Sequence, residues 1–304
     1  MQFNPLDYPL IYMQPDYLND ASAWMQHIPF AFFLMELARP RLFVELGTHS
    51  GVSYCAFCQG AAKLQLGARC YAIDQWHGDA NTGPYPEQVL QTLRAYHDPR
   101  YGVFSELIQS TFDEGVGRFA DGSIDLLHID GLHTFEGVNH DFETWKPKLS
   151  KTGIVLFHDT AVTKEGFGVF RLWAELEKHF PSFEFKHGYG LGMLGVGKEV
   201  PAKVLEFIKE ANENRDVVGA LFAALGNHCK MQCVFMLMDR QQQIMNQLKR
   251  QMGIAVDPRW ENFRSAKTDP IIYARKVTME LHGLANETLR MHLRPGSGTK
   301  DGGE

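Results

Sequence analysis

The chain has 304 residues, of which 44% are hydrophobic and 22% are charged, a composition typical of a folded protein of one or two domains. Its 30 basic and 36 acidic residues give a net charge of −6, and no basic segment occurs, so we expect no nucleic-acid partner. The longest apolar run, at 28–37, is far shorter than the roughly 20 residues of a membrane-spanning helix. The N-terminal sequence MQFNPLDYPL lacks the regions of a signal peptide, which predicts a cytoplasmic protein.

The predicted elements alternate after an irregular N-terminal arm at 1–19 and a helix at 20–38, which Asn19 or Asp20 could cap. Strands are predicted at 42–45, 69–74, 105–110, 124–130, 153–159, 183–187 and 193–196, and helices at 51–66, 85–96, 111–118, 136–149 and 169–179. This alternation predicts an α/β fold of the Rossmann-like, doubly wound type. Its sheet would have seven strands, mostly parallel, with an antiparallel edge.

We expect this domain to span 1–200, followed by a helical extension at 201–293 and a flexible tail at 294–304. Apolar residues recur at helical spacing over 202–250, with a break at Gly226, and another helix is predicted at 270–292. The extension would serve packing or oligomerisation.

The five cysteines, an odd number, argue against a disulfide framework. Cys55 and Cys58 have the spacing of a redox or zinc site, and Cys229 and Cys233 could share one helical face. We expect both pairs to be buried as small apolar residues.

The rest of the chain is organised around residues 42–53, LFVELGTHSGVS. An apolar strand runs into Glu45, a turn with Gly47 and Gly51 follows, and a helix begins. Glycine permits positive φ and close approach of a ligand, and N–H groups at a helix start can hold polar ligand groups. This pattern occurs in many α/β proteins, so it indicates a nucleotide-like site only together with other signals.

Polar side chains follow each of the predicted parallel strands. Ligands of open parallel sheets bind outside the carboxyl ends of the strands, so these residues are candidates for one cleft. They are Glu45, Asp74, Gln75, Trp76, Ser110, Thr111, Asp130, His133, His158 and Asp159. An acid placed like Asp74 suits a ribose diol, although it could also be a loop acid. Trp76 could stack on a base or close the core.

Asp130, His133, His158 and Asp159 form a second group. Two carboxylates on neighbouring strand ends can hold a divalent ion, which would lower the pKa of a bound hydroxyl while a histidine takes its proton. Alternatively, Asp130 orients a cofactor, and His158 and Asp159 cap a loop. His128 shares the strand face of Asp130 and is expected to be a hydrogen-bonded core histidine.

These motifs resemble the class I S-adenosylmethionine-dependent methyltransferases. The segments that carry the resemblance are VELGTHSGVS, IDQWHGD at 73–79 and DLLHIDGLHTFEGVNHDFETWKPKLSKTGIVLFHDT at 125–160. Within that superfamily, residues 20–200 are most similar to the macrocin O-methyltransferase and cephalosporin-hydroxylase-like group. The later FGVFRLWAEL and GYGLGMLGVG resemble versions found with bacterial glycosyltransferases of surface-polysaccharide gene sets.

The resemblance implies S-adenosylmethionine along Glu45, Gly47, Thr48, Ser50 and Gly51. It further implies the ribose at Asp74 and the adenine near Gln75, Ser110 and Thr111. We also predict that Trp76 and Asp130 contact the cofactor. A divalent metal, usually Mg²⁺, is implied at Asp130 and Asp159, and we take His158 as a further ligand. Related metal-dependent members carry Asp or Asn where this chain has Thr160, so the third ligand would be His133, His158, water or none.

The sequence therefore predicts an O-methyltransferase acting on a small molecule or sugar acceptor, with His133 or Asp130 as the base. Its product would enter polysaccharide biosynthesis, and a second copy or a glycosyltransferase could bind the C-terminal helices. Two alternatives stay open: a metal-dependent hydrolase or hydroxylase-like enzyme using the same cleft, and a non-catalytic scaffold that recruits a glycosyltransferase.

Overall fold

The computed structural model describes residues 3–18, 22–79 and 83–252. The chain divides into two compact units, Met1–Leu237 and Met238–Glu304. The predicted helix at 270–292 and the predicted tail lie outside the described residues.

Seven strands form one mixed sheet, and two short strands form a separate hairpin. The strands in chain order are β1 Leu42–Leu46, β2 Arg69–Asp74, β3 Gly78–Asp79, β4 Gly83–Pro84, β5 Ser105–Gln109, β6 Ile124–Ile129, β7 Leu149–His158, β8 Ser182–Phe185 and β9 Leu191–Gly195. The sheet order is β5-β2-β1-β6-β7-β9-β8. The five neighbouring strands β5, β2, β1, β6 and β7 pair in parallel, whereas β9 is antiparallel to both β7 and β8. The predicted Rossmann-like sheet with an antiparallel edge is confirmed, and the β3–β4 hairpin was not predicted.

Helices connect the strands and cover both sheet faces. They are α1 Ile28–Ala38, α2 Val52–Lys63, α3 Gln88–Tyr101, α4 Phe112–Gly115, α5 Phe135–Trp145, α6 Val169–Leu176, α7 Ala202–Glu213 and α8 Arg215–Gln251. Successive strand residues point to opposite faces. Phe43 accordingly belongs to the apolar cluster on one side of the sheet and Val44 to the cluster on the other.

The first predicted helix is divided in two. A 3₁₀ turn spans Ala23–His27, with Ser22 accepting a hydrogen bond from the N–H of Trp24, and α1 follows. Pro29 has no N–H to donate to the preceding turn, so the regular α-helical ladder can begin only there. The predicted caps Asn19 and Asp20 lie outside the described residues.

Gly226 does not break the C-terminal helix, so that prediction was wrong. The break lies at Asn214, between α7 and α8. A Cβ on Gly226 would lie 2.1 Å from the carbonyl oxygen of Gln26, so glycine allows α8 to pack directly against that backbone.

All five cysteines are buried and free, as predicted. Among the described residues, no helix is both long enough and apolar enough to cross a membrane.

Candidate functional site

A cleft opens at the carboxyl ends of β1, β6 and β7. Seven of the predicted site residues line it: Gly47, Thr48, Ser50, Asp130, His133, His158 and Asp159. Seven others lie outside its lining: Glu45, Gly51, Asp74, Gln75, Trp76, Ser110 and Thr111. Trp24, His49 and Tyr85 also line the cleft and were not predicted as site residues. The cleft therefore takes part of its wall from the segment before α1.

Position 47 requires a glycine because the backbone of Asp130 passes close to it. Its φ is +83°, and a Cβ there would lie 2.0 Å from the carbonyl oxygen of Asp130. The N–H of Gly47 donates to Ile73, and the N–H of Asp130 donates to Leu46. The β1 and β6 loops thus pass each other at a separation that only glycine permits.

Asp74 holds in place the loop at 47–51, which we call the glycine loop. Its Oδ2 accepts hydrogen bonds from the N–H groups of Thr48 at 2.9 Å and His49 at 2.8 Å, and its Oδ1 accepts from Trp76 at 2.6 Å. His49 and Trp76 both have positive φ, near +50°, a conformation that is unfavourable for residues other than glycine. Trp76 is buried, and its indole N–H donates to the carbonyl of His49. This geometry matches the loop-acid alternative for Asp74 and the core alternative for Trp76, while contacts of either residue with a cofactor remain predictions.

We expect Asp74→Ala to lower the free energy of unfolding by about 2–4 kcal/mol, because three backbone N–H groups lose a charged acceptor and water replaces it only in part. Urea denaturation measures the loss. Asp113→Ala is the matched control, because Asp113 is exposed and pairs with the exposed His140; its effect should stay within about 0.5 kcal/mol. Equal losses in the two variants would show that Asp74 does not hold the loop.

Glu45 and His128 form a buried pair below the cleft. Trp24 donates its indole N–H to Nε2 of His128 at 3.2 Å, so that nitrogen is an acceptor and carries no proton. The proton therefore lies on Nδ1, which donates to Glu45 at 2.9 Å. The prediction of His128 as a hydrogen-bonded core histidine is confirmed. In the described structure the Glu45 carboxylate accepts the hydrogen bond from His128.

Two carboxylates and two imidazoles converge at the ends of β6 and β7. His133 Nε2 lies 2.8 Å from Asp159 Oδ2. His158 Nδ1 lies 3.4 Å from Asp130 Oδ1 and 3.4 Å from Asp159 Oδ1. Asp159 has a positive φ of 62°, so its backbone is held in an unfavourable conformation at the centre of this group.

His158 is positioned as the cation of this group. Its Nε2 donates to the carbonyl of Gly188 at 3.1 Å, which leaves Nδ1 for the two carboxylates. Burial opposes the imidazolium, but Asp130 and Asp159 outweigh burial and raise the pKa of His158 to about 10. Burial also disfavours both carboxylates, yet their histidine partners hold the pKa values of Asp130 and Asp159 below the usual range.

The ligand atoms of Asp130, His133 and Asp159 lie within 4.8 Å of one another, so these three residues could hold a metal ion. The set contains His133 in place of the predicted ligand His158. Phe167 stacks on the His133 ring at 4.8 Å, and the carbonyl of His133 accepts the N–H of Gly168. These contacts fix the imidazole toward Asp159.

Thr48 carries an unsatisfied polar atom in the wall of the cleft. Its hydroxyl oxygen is buried, and it has no hydrogen-bond partner among the described residues. Buried hydroxyl groups normally have a partner, so this atom is a candidate ligand contact.

The remaining predicted residues have local roles. Thr111 forms a capping box with Glu114 at the start of α4, and the Ser110 hydroxyl donates to the carbonyl of Thr111. The carbonyl of Gln75 accepts from the Gln109 side chain. Gly51 has a φ of +81° and packs closely on Leu93 just before α2. Their predicted contacts with a cofactor are not tested by this geometry.

Asp141 on α5 packs behind the cleft. A Cβ on Gly131 would lie 3.2 Å from Asp141 Oδ2, which is buried and has no hydrogen-bond partner among the described residues. Burial raises the pKa of Asp141 to about 7. Between about pH 4 and pH 7 the carboxyl group of Asp141 therefore keeps a proton in the folded state that it has released in the unfolded state, so the contribution of Asp141 to stability falls as pH rises through this window.

We expect the free energy of unfolding of Asp141→Asn, relative to that of the wild type, to increase by about 2–3 kcal/mol from pH 5 to pH 8, because asparagine has no charge to bury. Urea denaturation of both proteins at the two pH values measures this difference, in which the other titrating groups cancel. A relative stability that does not change with pH would contradict the assignment.

A family model described as a methyltransferase domain matches residues 44–160. An uncharacterized protein of Sinorhizobium fredii is 47% identical over 187 residues, which cover 62% of this chain. The chain spans only 20% of the length of that relative.

The chain is also similar to solved structures. A methyltransferase from Geobacter sulfurreducens has 18% identity and a TM-score of 0.43, with 56% of this chain and 77% of that chain covered. The O-methyltransferase TomG of Streptomyces achromogenes, involved in tomaymycin synthesis and solved with S-adenosylmethionine, has 13% identity and a TM-score of 0.43, with 60% and 91% covered. A Podospora anserina methyltransferase bound to S-adenosylhomocysteine has 16% identity and a TM-score of 0.43, with 55% and 76% covered.

Proposed function

We propose that this protein is an S-adenosylmethionine-dependent methyltransferase that acts on a hydroxyl of a small molecule or a sugar or glycan precursor. The observation that carries the proposal is the methyltransferase-domain match over residues 44–160. That segment contains the glycine loop, Asp74 and the whole group at Asp130, His133, His158 and Asp159. The family match thus contains most of the residues that line the cleft.

The proposal assigns the glycine-loop wall of the cleft to the methionine end of the cofactor. Thr48 contributes a buried hydroxyl that has no partner among the described residues, and a polar cofactor group would satisfy it. The loop is held rigid by Asp74 and by the contact of Gly47 with Asp130, so the wall exists before the cofactor binds. The ribose would then lie toward Asp74.

S-adenosylmethionine supplies an electrophilic methyl group on a sulfonium, and transfer leaves a neutral thioether. The protein has to align the acceptor hydroxyl and receive its proton. His133 is our candidate base, because Asp159 binds its Nε2 at 2.8 Å and would stabilise the imidazolium that forms. The cationic His158 keeps Asp130 and Asp159 ionised during this step.

The proposal also includes a divalent cation bound in the cleft. The donor set of Asp130, His133 and Asp159 fits one, since carboxylate oxygens and imidazole nitrogens are ordinary ligands of such ions. An all-oxygen set would suit Mg²⁺, whereas one imidazole beside two carboxylates also admits a transition ion such as Fe²⁺, Zn²⁺ or Mn²⁺. A bound cation would lower the pKa of the acceptor hydroxyl. In that case His133 would be a ligand and could not serve as the base, and the proton would have to go to a group outside this donor set.

Association through the C-terminal helix, with a second copy or with a glycosyltransferase, also belongs to the proposal, as does a role in polysaccharide biosynthesis. Within Met238–Gln251, exposed apolar side chains support a binding surface: Ile244, Met245 and Leu248 are each about half exposed.

The test is transfer of label from S-adenosyl-[methyl-³H]methionine to a panel of acceptors: free sugars, nucleotide sugars and catechols. We expect label in at least one hydroxyl acceptor. The assay is run with EDTA and with added Mg²⁺ or Mn²⁺, and turnover that is insensitive to EDTA would remove the metal from the proposal. Cofactor binding without transfer to any acceptor would favour the scaffold, and absence of cofactor binding would favour the hydrolase or hydroxylase-like alternative.

A further inference from the structure

A second cavity lies at the amino ends of β1, β2 and β5, at the other end of the strands from the cleft. Its volume is about 370 Å³, which is room for an organic anion rather than a single ion. Three arginines line it: Arg41, Arg69 and Arg118. Leu42, Tyr71 and Phe119 provide an apolar wall.

The sheet itself brings the arginines together. Arg41 directly precedes β1, and its carbonyl accepts the N–H of Arg69, the first residue of β2, at 2.8 Å. Leu42 pairs with Arg69 in the parallel register of these strands. Arg118 ends the 3₁₀ turn that follows α4. Because the backbones of Arg41 and Arg69 belong to the sheet and its edge, two of the three cationic side chains start from fixed positions.

The cavity holds more positive than negative charge. Arg118 pairs at 2.9 Å with Glu106, which also lines the cavity, and Arg41 lies 3.5 Å from Asp125. Arg69 contacts no carboxylate among the described residues, and its guanidinium donates only to the carbonyl of Val103. One guanidinium is thus unmatched in a chain whose net charge is −6.

The geometry points to a binding site for a phosphate monoester in this cavity. The phosphate would bind Arg69, and the exposed guanidinium groups of Arg41 and Arg118 would turn toward it. Planar guanidinium groups match phosphate oxygens in pairs, and three of them suit a dianion better than a single carboxylate. The organic part of the ligand would lie against Leu42 and Tyr71. This site is separate from the proposed methyl-transfer cleft and does not depend on that function.

Isothermal titration with phenyl phosphate, inorganic phosphate and phenol tests the proposal at constant ionic strength. We expect phenyl phosphate to bind more tightly than inorganic phosphate, and phenol to bind more weakly than either. Arg69→Gln should weaken phenyl phosphate binding by about tenfold or more, since glutamine keeps a donor for Val103 but loses the charge. The triple variant Arg41→Gln, Arg69→Gln and Arg118→Gln should abolish binding.

Arg100→Gln is the matched control, because Arg100 carries the same charge, lies outside this cavity and stacks on Tyr96. We expect its affinity to stay within about twofold of the wild type. Thermal unfolding without ligand verifies that each variant is folded. Absence of phenyl phosphate binding to the wild type, or binding that the triple variant retains, would overturn the proposal. Phenol binding as tight as phenyl phosphate binding would overturn it as well.

Discussion

Gly47→Ala is expected to lower the free energy of unfolding by about 3–5 kcal/mol. Two costs combine at this residue. The backbone has a φ of +83°, which alanine adopts only with strain, and the new Cβ would lie 2.0 Å from the carbonyl oxygen of Asp130. Relief of that contact would push the β1 and β6 loops apart, so cofactor binding should weaken together with stability.

Gly67→Ala separates the two costs. Gly67 also has a positive φ, 64°, but a Cβ there would meet no atom within 4 Å. This control should therefore lose only about 1 kcal/mol, the cost of the backbone conformation alone. Urea denaturation of both variants measures the difference. Similar losses would mean that the loops adjust freely and that the close contact does not require glycine.

His133→Gln is expected to lower the rate of methyl transfer by about 10²–10⁴-fold, the usual contribution of a general base. Glutamine can still hydrogen-bond to Asp159 but cannot accept a proton at neutral pH. Cofactor affinity should change little, because the proposed cofactor contacts lie on the glycine loop. Single-turnover transfer with an acceptor identified in the labelling assay measures the rate.

His140→Gln is the matched control for His133→Gln. His140 lies on α5, and its side chain is 58% exposed and bound to Asp113, so its loss should leave the rate unchanged. A titration of both variants with Mn²⁺ distinguishes a base from a metal ligand. If His133→Gln binds Mn²⁺ as tightly as the wild type and is inactive, His133 is the base. Full activity in His133→Gln would remove His133 from the mechanism.

The succession of strands along the chain, their mostly parallel arrangement and the edge that carries the cleft could be predicted because they follow from local patterns. Apolar strands alternating with helices specify a parallel sheet, and each strand end can then be located to within a few residues. Asp130, His133, His158 and Asp159 do lie together at that edge. His128 could be assigned to the core because it lies within the strand, two residues before Asp130 and on the same face.

The contacts that cross the fold could not be predicted from such patterns. Trp24 lies over one hundred positions before His128 in the chain, and nothing in either segment indicates their hydrogen bond. Gly226 was interpreted as a helix break because glycine weakens helices, whereas it is required by contact with Gln26. Tertiary packing decided both cases.

The presence of His133 rather than His158 in the candidate metal-binding set also depends on tertiary structure. His158 is the last residue of β7, whereas His133 lies four residues after the end of β6, and periodicity does not fix the direction of a side chain in a loop. Gly188 holds Nε2 of His158, and Phe167 holds the ring of His133 toward Asp159. Gly188 and Phe167 each come from a different loop, so their roles become visible only in the folded chain.

The central claim is that the cleft beside the glycine loop binds S-adenosylmethionine, and calorimetric titration with S-adenosylhomocysteine tests it most directly, because the product needs no acceptor. We predict one site per chain, with a dissociation constant between about 1 μM and 1 mM. Thr48→Val, which removes the unsatisfied hydroxyl and keeps the side-chain shape, should weaken binding by about tenfold. No binding by the wild-type protein in this range, with or without a divalent cation, would contradict the account.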